Sequence, residues 1–343
     1  MKVWRVHRYG PPSVALDLDD LAEPVVGPNQ VKIAVRGAAL NLNDTDMCRG
    51  VYPTLNPPIP FALGMEVSGI VEEAAPGLEE WVGKRVMAVP QGLGGYAEKT
   101  LGRRPFEVPP QLDDIQAAAF LIAFQTAHIG LHKRGRLQAG ETIVIHSAAG
   151  GVGSAAVQLA VAAGARVIAT ASSQEKLDFC KSLGAAITVN YSKENFAEVV
   201  LDSTGGEGAE IIYDLMGGDV ALQSFKCIAR DGRYVIAGFS AGQQYGEKIG
   251  LPAREINKGN FDAVGAMFPG EWTDHPDPEL KKRGFNPYPR SVADEIYLDL
   301  VRLLEEKKIR PIVGREVPFS EVPAALEDLE SRRTIGKTIV RIP

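Results

Sequence analysis

The alternation of apolar and polar positions along this chain changes character near residue 120. Before that point, short β-like runs at Val31 to Val35, Val67 to Val71 and Arg85 to Val89 are broken by Pro and Gly, as in Asn56-Pro57-Pro58-Ile59-Pro60. This pattern predicts a β-rich domain. After Ala117, Thr142 to Ile145 reads as a compact apolar strand, Gly153 to Ala163 as a helix and Arg166 to Ala169 as the next strand. The pattern Ser172-x-x-Glu175 predicts a helix start that Gly184 stops, and further strands are expected at Ala186 to Val189, Ile211 to Leu215 and Tyr234 to Ala237. Phe261 to Met267 reads as the last strand and Val292 to Glu306 as a closing amphipathic helix, after which short strands return from Lys307. The fold class is therefore α/β, a doubly wound parallel sheet joined to a β-rich domain. Between the last strand and the closing helix, residues 268–290 carry five prolines among charged and aromatic residues and read as a surface insertion, either structural or covering a substrate.

Composition narrows the partners. At 343 residues the chain suits two domains, and 45% hydrophobic residues supply both cores. A formal charge of −6 and a pI near 5.6 disfavour nucleic acid and anionic membranes, which leaves small molecules as the expected ligands. Cys48, Cys180 and Cys227 are too few and too scattered for a disulfide framework or a zinc lobe, which fits a reducing cytoplasm. The N-terminal stretch Met1 to Arg8 lacks the apolar core of a signal peptide, and the run Ala117 to Phe124 is too short to span a membrane, so a cytoplasmic protein is expected.

The most informative stretch is Ser147-Ala148-Ala149-Gly150-Gly151-Val152-Gly153, which follows a strand and opens a helix. Glycines there let backbone N–H groups approach a pyrophosphate at the positive end of the helix dipole. The pattern departs from G-x-G-x-x-G in having Ala148 at the first glycine. An NAD enzyme would carry a carboxylate at the end of the second strand, to bind the ribose 2′-hydroxyl. Here Ala169-Thr170-Ala171-Ser172-Ser173-Gln174-Glu175-Lys176 places hydroxyls and a cation where a 2′-phosphate would be held, which favours NADPH. His128 and His132 stand four apart with no glutamate between them to complete a zinc-protease pattern, and no metal site is expected.

Read with Asn41-Leu42-Asn43-Asp44, Arg49-Gly50-Val51-Tyr52-Pro53 and Gly64-Met65-Glu66-Val67-Ser68-Gly69, these residues resemble the medium-chain dehydrogenase/reductase superfamily, in its quinone oxidoreductase (zeta-crystallin-like) branch. The resemblance implies a GroES-like catalytic domain at 1–121 and 307–343 and a Rossmann domain at 122–306. Where zinc-dependent members carry a cysteine and a histidine, this chain has Asn41 and Met65, an amide and a thioether unsuited to a tetrahedral zinc site. Carried over residue by residue, the resemblance puts Asn41 and Thr126 near the nicotinamide, Gly150, Gly151, Val152 and Gly153 on the pyrophosphate, and Ser172, Lys176 and Tyr191 around the 2′-phosphate. Gly238, Phe239 and Ser240 match a segment passing the nicotinamide side, and Tyr52 matches the cleft loop. A homodimer is implied by the resemblance alone.

Without a Lewis acid an unactivated alcohol is a poor hydride donor, whereas a quinone or enone leaves its charge on a delocalised oxygen that a few hydrogen bonds can quench. The expected activity is thus NADPH-dependent reduction of a quinone or α,β-unsaturated carbonyl, with Tyr52 as the candidate to hydrogen-bond or protonate that oxygen. Two alternatives stay open: reduction of a 2-enoyl thioester of the acyl-CoA type, and a non-catalytic NADPH-binding protein of the crystallin or scaffold kind.

Overall fold

The computed structural model describes residues 1–52, 57–240, 252–269, 278–282 and 284–343, so part of the expected insertion at 268–290 lies outside the described residues. Packing divides the chain into two units, Met1–Ile122 with Pro311–Pro343, and Ala123–Arg310. Strands in the first stretch are β1 (Lys2–Val6), β2 (Leu16–Asp20), β3 (Val31–Ala39), β4 (Phe61–Ala62), β5 (Val67–Ala74), β6 (Arg85–Ala88), β7 (Lys99–Gly102) and β8 (Phe106–Glu107). The second unit contributes β9 (Thr142–Ile145), β10 (Arg166–Ala171), β11 (Ile187–Asn190), β12 (Ala209–Asp214), β13 (Ile228–Ile236) and β14 (Asp262–Gly265). The chain then returns to the first unit with β15 (Val313–Pro318) and β16 (Lys337–Arg341).

In the first unit, β1 pairs antiparallel with β2 and β4, and a larger sheet runs in the order β15-β16-β3-β5-β6-β8, with β7 also on β3. The C-terminal strand enters this sheet antiparallel to β3, Ile339 opposite Ala39 and Val340 opposite Ala38. One core holds Val6, Ile33, Met47, Leu63, Tyr96 and Val340 together. Trp4 joins it edge-on to Phe319 and satisfies its buried indole N–H on the Phe319 carbonyl at 2.8 Å.

The second unit is a six-stranded parallel sheet in the order β11-β10-β9-β12-β13-β14. All four residues of β9 are buried, as expected of a strand with both faces covered by helices. The chain moves outward from β9 to β11 and then returns to β12 on the other side of β9, so the order reverses at β9. In open sheets of this kind, the crevice beyond the carboxyl ends at that reversal is where ligands bind.

Several boundaries differ from the sequence expectation, β13 most of all, since it begins at Ile228 and not at Tyr234, and three of them have a local reason. Strand β10 runs on to Ala171, so the following helix, Gln174–Ser182, is capped by Ser173 instead of Ser172, and the Ser173 hydroxyl accepts the Lys176 N–H at 3.4 Å. The helix after β9 spans Gly151–Ala162, two residues earlier than expected, because Gly150 takes the extended cap conformation. Strand β14 is limited to Asp262–Gly265, and Phe261 is spent on the core beside Tyr234 and Phe196. Helices Phe196–Ser203 and Asp219–Ser224 were not foreseen, although Asn195 caps the first through the Ala197 N–H.

One ion pair ties the start of β9 to β13. Arg233 places Nη2 2.8 and 2.7 Å from the two carboxylate oxygens of Glu141 and donates Nε–H to the Gly135 carbonyl at 2.8 Å, with side chains only 10% and 18% exposed. Removing one partner leaves the other charge uncompensated in a poorly solvated place. Glu141→Ala is therefore expected to cost about 3 kcal/mol in urea denaturation of this unit; a loss well below 1 kcal/mol would contradict the assignment.

Candidate cofactor and active site

At the end of β9, Ile145 lies opposite Ala169 of β10 and Tyr213 of β12. The chain then turns through Ser147, a non-glycine residue at φ +53°, and Ala148 returns its N–H to the Thr170 carbonyl at 3.1 Å. Ser147 thus makes the left-handed turn, and Ala148, at the place of the usual first glycine, is buried without strain of its own. Glycine is obligatory at 153, where a β-carbon would lie 2.2 Å from the Ser147 carbonyl oxygen and 2.8 Å from Ala148 Cα. Gly150, Gly151 and Val152 remain half-buried at the start of the helix. First-turn N–H groups have no partner inside their own helix, and the helix dipole adds positive potential there, so this turn suits a pyrophosphate.

Neighbouring strand ends gather at the same edge. Ala171 pairs with Asn190, and Tyr191 donates its N–H to the Ala171 carbonyl at 3.2 Å, which sets Ser172 and Tyr191 side by side just past β10 and β11. Lys176 stands in the first turn of the adjoining helix. The nearby carboxylate of Glu194 is spent on the Asn190 N–H at 2.9 Å. Ser172 and Tyr191 thus follow the ends of neighbouring strands, and Lys176 lies one turn into the helix after β10.

On the other side of β9, the ends of β12 and β13 are locked by Asp214, which the sequence reading missed. Its buried carboxylate accepts the Met216 N–H at 2.6 Å and the Gly217 N–H at 3.1 Å, and the Tyr234 hydroxyl donates to it. The turn so held carries the Leu215 carbonyl, which accepts the Ser240 N–H at 3.0 Å and would meet a β-carbon on Gly238 at 2.9 Å. Phe239 projects with 54% of its surface exposed. Thr126 is buried, and its carbonyl accepts the Tyr213 hydroxyl at 3.3 Å. A lone Asp at a strand end gave little warning in the sequence; only the following Met216-Gly217-Gly218 hinted at a turn needing an acceptor.

In the first unit, Asn41 and Asp44 form a reciprocal cap on the helix Leu42–Arg49, which ends at Gly50 with φ +70°. Arg49 is held by both oxygens of Glu330 at 2.5 and 2.8 Å. Two residues past Gly50, the half-buried Tyr52 accepts a hydrogen bond from Asn43 Nδ2 at 3.2 Å; Pro53 lies outside the described residues. Asp44 is fully buried and accepts the Asn41 N–H at 2.9 Å and the Tyr96 hydroxyl at 2.6 Å. Burial pushes its carboxyl up to about 7 against the pull of those hydrogen bonds and of Lys337. Met65 packs against the core, and the adjacent Glu66 is buried 3.1 Å from the ammonium of Lys337. Lys337 was also missed, since a lysine opening an apolar strand reads as surface. Among the described residues, no group of three or more His, Cys, Asp or Glu side chains converges as a metal site requires.

Three histidines of the second unit are buried or partly buried among polar partners. Ser224 donates its hydroxyl to the Val220 carbonyl at 2.7 Å, so it accepts from His146 Nε2 at 2.9 Å, which leaves His146 Nδ1 to accept from Thr170 at 2.9 Å. Burial keeps this ring neutral by pushing its pKa down. His128 bonds to Asp299 at 2.9 Å, and its ring lies tilted 4.6 Å from that of His132, on a helix that widens into a π-helical turn from Ile129.

Family comparison agrees with this architecture. Residues 27–105 match the alcohol dehydrogenase GroES-like domain and residues 151–279 the zinc-binding dehydrogenase domain. The chain is 33% identical to a quinone oxidoreductase of Pseudomonas aeruginosa over 97% of both chains, and 31% identical to a 2-haloacrylate reductase of a Burkholderia species over 92% of both. It superposes on the Escherichia coli quinone oxidoreductase complexed with NADPH with a TM-score of 0.86 over all of both chains, at 26% identity. The chain belongs to the medium-chain dehydrogenase/reductase superfamily, in its quinone oxidoreductase-like branch.

Burial pushes His132 down to about 4, whereas in the unfolded chain it titrates near the ordinary histidine value of about 6.5. Between those values the unfolded chain binds a proton that the fold refuses, so this residue costs stability as pH falls from 7 towards 5. The buried Asp44 acts in the opposite direction, so the effect is read as a difference. His132→Phe is expected to gain on the parent by about 2 kcal/mol between pH 7.5 and pH 5 in urea midpoints; a constant difference would contradict it.

Proposed function

We propose that this chain is a zinc-independent reductase that uses NADPH to reduce quinones or α,β-unsaturated carbonyl compounds. One observation carries the reading: at the carboxyl edge of the parallel sheet a glycine turn opens a helix beside β10, whose end bears no carboxylate and is followed by Ser172 and, in the next helix, Lys176. In this reading, Gly150, Gly151, Val152 and Gly153 hold the pyrophosphate, and Ser172, Lys176 and Tyr191 hold the 2′-phosphate by charge-assisted bonds. Thr126, Gly238, Phe239, Ser240 and Asn41 contact the nicotinamide half. NADPH, when bound, supplies the hydride.

The residues of the chain bind, orient and quench. Asp214 and Gly238 hold the turn that would border the nicotinamide, so the ring would meet a fixed backbone. Asn43 donates to the Tyr52 oxygen and so helps orient the phenol, whose hydroxyl in this reading hydrogen-bonds the oxygen that gains charge. Zinc independence rests on donor chemistry: Asn41 and Met65 supply amide and thioether, and Lys337 already presents a cation 2.8 Å from Asn41 Oδ1, which opposes a second one. The relatives support the acceptor class, since a quinone and an acrylate are both conjugated acceptors.

The test is oxidation of NADPH by chelator-treated protein, with an ortho-quinone, a simple enone and crotonyl-CoA compared side by side. Turnover of quinone or enone, unchanged by chelation, is the expected result. Preference for crotonyl-CoA would move the function to thioester reduction, and saturable NADPH binding without turnover would leave a binding protein. Tyr52→Phe is expected to lower kcat/KM for the acceptor by about tenfold or more while NADPH affinity holds; full turnover in that variant would remove Tyr52 from the chemistry.

A further inference from the structure

The carboxamide of Asn41 has its orientation set from inside the first unit. Lys337 Nζ donates to Asn41 Oδ1 at 2.8 Å and to the Leu40 carbonyl at 3.1 Å, and lies 3.1 Å from Glu66 Oε2. Its side chain is 7% exposed and that of Glu66 is 0% exposed. The other oxygen of Glu66 accepts the Ile122 N–H at 2.7 Å, so the carboxylate is itself fixed. The ammonium donates two hydrogen bonds, to Asn41 and Leu40, and faces Glu66 as an ion pair. A flipped carboxamide would turn its NH₂ group toward the ammonium and deprive a buried cation of an acceptor, which the low-dielectric surroundings penalise heavily.

With Oδ1 claimed by Lys337, Asn41 can offer only N–H. One N–H is directed to the Ala39 carbonyl at a long 3.3 Å. We propose that Lys337 is a positioning residue that fixes Asn41 as a hydrogen-bond donor to an oxygen in the nicotinamide half of NADPH. This rests on the cofactor reading above and adds to it a residue that touches neither cofactor nor acceptor. A lysine that only filled space or balanced Glu66 would affect stability without depending on Asn41.

The test is a double-mutant cycle read as NADPH dissociation constants, followed by the fluorescence of the reduced nicotinamide. Glu66→Gln is the reference, because removing the ammonium from it leaves no carboxylate at position 66 without its counter-charge. On that reference, Lys337→Met and Asn41→Ala are each expected to weaken NADPH binding by about tenfold, and the two together by no more than either alone. Equal Lys337→Met losses with Asn41 present or absent would overturn the positioning role while leaving the cofactor reading intact. An Asn41→Ala variant that binds NADPH as tightly as its reference would overturn the placement of Asn41 and the proposal with it. No NADPH binding by the unmodified chain would overturn the cofactor reading itself. Near-ultraviolet circular dichroism checks folding, and if the methionine variant does not fold, Lys337→Gln carries the same cycle. Lys337→Arg, which keeps a cationic donor, is expected to restore binding to within about threefold of the reference; a tenfold loss there would contradict the donor-fixing role.

Discussion

A β-carbon at residue 153 would sit 2.2 Å from the Ser147 carbonyl oxygen, so the helix Gly151–Ala162 can begin where it does only because that position is glycine. This close seating is the constraint from which the second unit's site follows. It brings the helix start directly onto the end of β9, the strand at which the sheet order reverses. The parallel pairing of β10 and β11 then puts Ser172, Lys176 and Tyr191 beyond the same edge, and the pairing of β12 and β13 does so for Gly238, Phe239 and Ser240. Ser172, Tyr191 and Gly238 thus owe their places to strand register.

The first unit solves a different problem, that of keeping charged groups inside an apolar core. Glu66 and Lys337 are both buried, and a pair of that kind pays for its desolvation only when its remaining hydrogen bonds are met. Ile122, Leu40 and Asn41 meet most of them, and Glu66 Oε2 is left with the charge of the ammonium at 3.1 Å and no hydrogen bond. Asp44 lies in the same region and escapes part of the cost by holding its proton more firmly, while it still caps the helix that leads to Tyr52. The same polar network therefore orders two candidate functional groups, the carboxamide of Asn41 and, through the helix, the loop of Tyr52. The carboxamide of Asn41 thus lies against an ammonium already present inside this unit.

Local pattern revealed much of this and missed the rest for identifiable reasons. Strand β9 was legible to the residue, since Thr142 to Ile145 is apolar throughout and flanked by turn residues. The glycine turn was legible because backbone sterics leave a mark in the sequence. The cap at Ser173 was misplaced by one residue because two serines stand together and only the length of β10 decides between them. The helix Phe196–Ser203 was overlooked although Asn195 and Glu198 mark its start. Asp214 and Lys337 were out of reach for another reason: their partners come from elsewhere in the chain, Tyr234 in one case and Asn41 with Glu66 in the other. Whether such a charge is solvated or buried is decided by tertiary pairing, which no local period records.

The central claim is that the carboxyl edge of the second unit is built for a dinucleotide bearing a 2′-phosphate, and calorimetric titration of the whole chain with NADPH and with NADH tests it most directly. The account predicts a single class of NADPH sites, with affinity at least about tenfold above that for NADH, since the phosphate gains charge-assisted bonds worth about 1.5–3 kcal/mol. Equal affinities for the two, or binding of neither, would contradict it.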